Sequence, residues 1–178
     1  MTVAALYVDP DGPYADMPNV DPWPMDRDAK LYAGPHPVVA HPPCGPWGQF
    51  WWRCTEQDRV AALVAVVQVR TWGGVLEHPA GSLLWREMHM PTPGGQLDWY
   101  GGWTLRVDQV DWGHKCVKPT WLYIVGTTKT PPMPEKRQPT HRISQGDPAL
   151  RDLPKSERHL TPPAFARWLT SVAKGCTR

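Results

Sequence analysis

The sequence predicts one α/β domain in which proline-rich loops outweigh the regular elements. Three observations carry that expectation. Residues 38–77 read as strand, helix, strand, the size of a βαβ unit. The 22 prolines among 178 residues require extended loop over much of the chain. An apolar content of 41% with 20% charged residues is that of an ordinary globular domain with a single core.

The elements follow in order. Val3–Val8 is a short apolar run that stops at Asp9-Pro10-Asp11-Gly12-Pro13, as a buried strand gives way to a turn. Residues 14–36 are rich in proline and aspartate and have no period, so loop is expected there. Val38-Val39-Ala40 is a second buried strand, ended by His41-Pro42-Pro43. Thr55 has the chemistry of an N-cap, with Asp58 at the third helical position and Val60, Leu63, Val64 and Val67 on one face. Gly73-Gly74 close that helix, and Val75-Leu76 lead into Glu77. Further strands are expected at 104–110 and 120–125. The segment 126–160 is polar and proline-rich and reads as loop. A last helix is expected over 161–174, with Thr161 as N-cap, Pro162 at its first position, and Phe165, Leu169, Val172 and Ala173 on its apolar side.

Composition excludes some roles. No run approaches the length of a membrane span, and Met1–Ala5 has neither the basic nor the apolar part of a signal peptide. A cytoplasmic protein without a membrane partner is expected, and its four cysteines are then free thiols. The net charge of +2, with no long Lys/Arg stripe, does not mark a tight non-specific nucleic-acid binder. No histidine or cysteine falls in a paired metal-ligand spacing, so no metal site is expected. Most of the 11 tryptophans are expected to pack in the core, but so many also suggest flat stacking surfaces, and Trp47, Trp51, Trp52 and Trp112 are set apart because they flank the motifs below.

The chemistry centres on His41-Pro42-Pro43-Cys44. In open α/β sheets ligands bind beyond the carboxyl ends of the strands. Cys44 and Glu77 each follow a strand of the same βαβ unit, so both should open onto one edge. The two prolines fix the backbone before the thiol, the rigidity that placing a nucleophile requires.

Three blocks then resemble a known family. They are Ala40-His41-Pro42-Pro43-Cys44, Leu76-Glu77-His78-Pro79-Ala80-Gly81, and the run from Gln109 through Gly113-His114-Lys115-Cys116-Val117-Lys118-Pro119-Thr120 to Tyr123. Together they look like compact phage and bacterial proteins similar to DNA cytosine-5 methyltransferases. The resemblance implies a small Rossmann-like, methyltransferase-type sheet acting on a pyrimidine in DNA or in a free nucleotide. It implies Cys44 as nucleophile toward C6 of the ring and Glu77 as acid/base partner. His41, Pro42, Pro43, His78, His114 and Lys118 would then support the substrate, Trp47 or Trp112 would stack on a flipped base, and Arg53 or Lys118 would lower the thiol pKa or hold phosphate.

The sequence also departs from that family. The first strand lacks the Gly-x-Gly turn, Glu77 is followed by His78 rather than Asn, and no sizeable target-recognition region is present. Three readings stay open. S-adenosylmethionine binds an abbreviated site using Asp9 and Asp21; or the base site has taken up other chemistry, such as hydroxymethylation or deamination; or the protein binds nucleotides or nucleic acid without turnover.

Overall fold

The computed structural model describes residues 1–49, 51–143 and 147–177. Its centre is a six-stranded mixed sheet in the order β2-β1-β3-β4-β6-β5. The strands are β1 (Val3–Leu6), β2 (Val20–Trp23), β3 (Val38–Ala40), β4 (Gly74–Pro79), β5 (Trp103–Asp108) and β6 (Pro119–Val125). β1 to β4 pair in parallel, while β6 runs antiparallel to both β4 and β5. Most strands therefore point one way, and β6 alone is reversed.

Helix α1 (Glu56–Trp72) covers one face and α3 (Pro163–Lys174) the other; α2 (Leu84–Glu87) is a single turn. Alternation along the strands divides the core accordingly. Ala4, Leu6, Val38, Ala40, Leu76, Tyr123 and Val125 pack toward α1. Val3, Ala5, Val39, Val75, Leu122 and Ile124 pack toward α3. A strand buried on both faces reads as an unbroken apolar run, which is why these strands stand out in the sequence.

The capping box at α1 forms as its residues predict: Asp58 N–H donates to Thr55 Oγ1 and Thr55 N–H to Asp58 Oδ2, each at 3.2 Å. The helix presents a different face from the expected one, however. Ala61, Ala62, Ala65, Val66 and Val69 are buried, whereas Val60 and Val67 are exposed. The run is apolar almost all round, and the alanine side wins because small side chains let the helix lie close to the sheet. Gly74 is required where α1 returns to the sheet. Its φ is +120°, and a Cβ there would stand 2.0 Å from the Val38 carbonyl oxygen.

Other boundaries are corrected too. β2 occupies part of 14–36, where loop was expected; Pro22 is tolerated because β2 is an edge strand. β1 ends at Leu6 because Tyr7 turns to φ +60°. Residues Gln109–Trp112 leave the strand for a 3₁₀ turn, which Asp108 caps by accepting the Val110 N–H at 3.3 Å. α3 begins at Pro163 with Pro162 as its cap residue and no capping side chain, so Thr161 does not serve as N-cap. Within 126–160, β7 (His141–Arg142) and β8 (Arg151–Asp152) form a small parallel pair, and residues 144–146 of that segment lie outside the described residues. No helix among the described residues is long and apolar enough to cross a membrane.

Candidate functional site

The strand order reverses at β1, which has β2 on one side and β3 on the other. Connections that diverge there leave a crevice outside the carboxyl ends of the strands. A cleft of about 490 Å³ opens at that edge, with Tyr14, His41, Cys44, Glu77, Lys118 and Arg158 on its walls. Asp9, Pro42 and Pro43 line it as well.

Register explains the grouping. Ala40 lies beside Leu76 in the β3–β4 pair, so the next residues, His41 and Glu77, are also neighbours. Alternation turns both toward the α3 face, because Val39 and Val75 point there. The Pro42-Pro43 corner then carries the chain to Cys44, which is exposed at the start of the 3₁₀ turn Gly45–Trp47. Lys118 immediately precedes β6. Because β6 is reversed, its beginning meets the ends of its neighbours.

A hydrogen-bonded chain holds Glu77. His41 Nδ1 is 3.0 Å from Glu77 Oε2, and Tyr14 Oη is 2.8 Å from His41 Nε2. Gln109 Nε2 donates to Glu77 Oε1 at 2.9 Å and to Thr120 Oγ1 at 3.0 Å. Burial, followed by the charge of Glu77, pushes the Tyr14 phenol well above its ordinary value, so the phenol keeps its proton and donates it to Nε2. His41 therefore donates from Nδ1 to the carboxylate, the arrangement in which the carboxylate fixes both ring orientation and tautomer.

Burial alone would raise the Glu77 pKa. The hydrogen bond from His41 and the nearby charge of Lys118 outweigh it and hold the carboxyl below its usual range. Glu77 is thus an ionised acceptor at neutral pH. Cys44 is shifted the other way. Desolvation and the charge of Glu77 raise its thiol, and Lys118 offsets this only in part. The resting group is a thiol.

Other residues singled out in the sequence lie elsewhere. Trp47 is only 2% exposed, with the Arg59 guanidinium 4.6 Å from its ring centroid. Trp112 packs against Phe165 and Trp168 at centroid distances of 5.0 and 4.9 Å. Neither offers a free face to a base, and the stacking expectation is corrected for both. Trp112→Ala is expected to cost about 3–5 kcal/mol in denaturant titration, while the labelling rate of Cys44 in the folded protein is unchanged.

His78 points to the α1 face, away from Glu77. It is fully buried with Trp85 edge-on at 6.3 Å, and burial lowers its pKa to about 4. His114 lines an adjoining cavity of about 460 Å³ and meets the backbone of Cys116, so it borders the cleft without entering it. Tyr14, Gln109, Thr120 and His159 join the site or its rim without having been singled out, and Arg158 joins them there. Gln109 and Thr120 at least stood inside the third motif block.

A third cavity, of about 640 Å³, adjoins the ends of β1 and β3 and shares Tyr7, Val8, Asp9, His41 and Pro43 with the cleft. It adjoins the cleft where the resemblance would place S-adenosylmethionine, yet its residues do not offer that molecule the groups expected. Asp21 is off the cavity wall, held by Arg27 at 2.6 Å and Trp23 Nε1 at 2.8 Å. The turn after β1 consumes its own donors: Gly12 N–H bonds the Asp9 carbonyl and Asp11 N–H bonds the Asp9 carboxylate, each at 3.0 Å. Pro10 and Pro13 have no N–H to offer a carboxylate. Comparison of the chain with protein families, with curated proteins and with solved structures finds no match.

Proposed function

We propose that this protein is a pyrimidine-directed enzyme related in chemistry to cytosine-5 modification, acting on a base in DNA or in a free nucleotide. The observation that carries this reading is the placement of the Cys44 thiol and the ionised Glu77 carboxylate in one cleft at the strand reversal. The parallel order β2-β1-β3-β4 supports a small Rossmann-like, methyltransferase-type sheet beneath it.

In this reading Cys44, once deprotonated, adds to C6 of the ring. A C–S bond forms and the C5–C6 π pair moves toward C5 and the N3 side. Glu77 accepts a hydrogen bond from the exocyclic amine and, as N3 takes a proton from water during the addition, from the new N3–H; that proton returns to water when the C–S bond breaks. C5 then takes an electrophile, loses its original proton, and the C–S bond breaks to return the thiolate. When the electrophile is a proton from water, the net result is hydrogen exchange at C5, with no cofactor consumed. A methyl or hydroxymethyl donor in its place would modify the base.

The test is proton NMR of deoxycytidine monophosphate in deuterated water, with a parallel trapping assay on DNA containing 5-fluorocytosine, with and without S-adenosylmethionine. Loss of the H5 signal, or a protein–DNA adduct, is expected with the wild type. An adduct formed only with S-adenosylmethionine assigns methyl transfer; exchange without it assigns the altered chemistry that the poor cofactor fit favours. No exchange and no adduct under either condition overturns the enzymatic reading. The raised thiol pKa favours a second reading, nucleotide binding without turnover, which predicts binding without either signal.

A further inference from the structure

We propose that Lys118, Arg158 and His159 form a phosphate subsite on the rim of the Cys44–Glu77 cleft. The ligand is then a pyrimidine nucleotide carrying its phosphate, not a free base or nucleoside. This inference rests on the base-directed reading of the cleft and adds the chemical class of its ligand.

All three side chains line the cleft, although they come from two distant stretches of chain. Lys118 enters at the start of β6, whereas Arg158 and His159 precede α3. The stretches are tied together because Lys118 Nζ lies 3.4 Å from each of the His159 and Leu160 carbonyl oxygens. Those contacts are long for an ammonium donor and leave its charge uncompensated. Arg158 spends Nε on the Leu153 carbonyl at 3.0 Å, which anchors the guanidinium. Its two terminal nitrogens meet no acceptor among the described residues.

Neighbouring cations behave differently. Lys115 pairs with Glu157, and Arg142 pairs with Asp152 at 3.0 Å. Among the described residues, neither Lys118 nor Arg158 has an acidic partner within ion-pair distance. Glu77 does not fill that role, because neither cation lies within ion-pair distance of it; its oxygens each accept one bond, from His41 and Gln109, and keep a second acceptor position. Two cations thus stand unneutralised on the wall of a cleft whose floor already carries a carboxylate. A planar guanidinium offers paired donors to phosphate oxygens, and an ammonium adds a point charge. The cleft volume, about 490 Å³, is within the range of small-molecule sites. Glu77 and this rim line the same cleft, so one nucleotide can reach both.

Calorimetric titration at low salt separates the possibilities. The probes are deoxycytidine monophosphate, deoxycytidine, 2-deoxyribose 5-phosphate and a single-stranded oligonucleotide with one cytosine. They are compared on the wild type, the Lys118→Ala/Arg158→Ala double variant and Arg158→Lys, each checked for folding by circular dichroism. The monophosphate is expected to bind at least about tenfold more tightly than the nucleoside. That preference disappears in the double variant and is partly retained by Arg158→Lys. Preference for the oligonucleotide over both small ligands, lost in the double variant, also supports the subsite and assigns its phosphate to a strand. Equal binding of nucleoside and monophosphate, with no binding of the oligonucleotide or the sugar phosphate, overturns the subsite but leaves the base site standing. Binding of the sugar phosphate with no gain from the base supports the subsite and removes the base-directed reading instead. A preference that survives in the double variant, or no binding of any probe, overturns the proposal.

Discussion

Cys44→Ser is expected to lower C5 exchange by about three orders of magnitude or more, because the hydroxyl cannot supply the nucleophile that begins the sequence. The pH dependence gives the same group a second signature. Desolvation by the surrounding cleft and the charge of Glu77 raise the wild-type thiol above its ordinary value, so the thiolate is scarce at neutral pH. Exchange, and alkylation of Cys44 read by peptide mass spectrometry, should therefore climb about tenfold per pH unit until the thiol titrates. Lys118 works against the shift, so Lys118→Ala displaces the profile to higher pH and Lys118→Arg leaves it nearly in place. Linkage sets the sign for stability. The folded state holds this proton more tightly than the unfolded chain, so the stabilisation is complete below the unfolded thiol value. It is lost as pH rises through the folded one. A labelling rate independent of pH across the neutral and alkaline range would contradict the assignment.

Substitution of Glu77 is expected to be costly twice over. His41 Nδ1–H and Gln109 Nε2–H each require an acceptor, and a glutamine at position 77 has one oxygen for the two of them. Glu77→Gln should cost about 1–3 kcal/mol of stability, and Glu77→Ala about 3–5 kcal/mol. Exchange should fall by about two to three orders of magnitude in Glu77→Gln, through loss of the anionic acceptor. The carboxyl is held below its ordinary value of 4.5, so its stabilisation is present above that value and is lost as pH falls through the folded pKa. Glu77→Gln should therefore flatten the acid limb of a stability profile below that value. The decline between 6.5 and about 4, where His78 resists protonation, should remain. Denaturant midpoints measured from about pH 7 to about pH 3 distinguish the two windows, and an unaltered acid limb would count against a charged Glu77.

The β3–α1–β4 unit is legible from sequence because its signals are local. Apolar runs mark the strands, the Thr55/Asp58 box marks the helix start, and Gly73-Gly74 mark its end. β2 is not legible, since Asn19-Val20-Asp21-Pro22-Trp23 has no period and becomes a strand only by pairing with β1. The face of α1 is ambiguous for the opposite reason: too many of its positions are apolar, and only the sheet selects among them. At the site, Cys44, His41, Glu77 and Lys118 are recoverable because each adjoins a strand at the same edge. Tyr14 and Arg158 come from turns whose approach to that edge no short-range signal encodes. Trp47 and Trp112 stand next to the motifs in sequence, yet the turns that follow send both rings inward.

The reversed strand β6 also makes the site a joint between two lengths of chain. Residues up to Pro79 provide Tyr14, His41, Cys44 and Glu77, while Gln109, Thr120 and Lys118 arrive with the β5–β6 pair. β5 is an edge strand whose sheet partner is β6, and β6 meets the rest of the sheet through β4. Any excursion that parts β6 from β4 takes the Gln109 amide from Glu77 and Lys118 from the cleft wall in one movement. The carboxylate then loses its geometry while the parallel half can remain paired. The complete cleft is thus assembled by the closing of one seam, and the durability of that seam, more than that of the whole domain, sets how much of the population carries it.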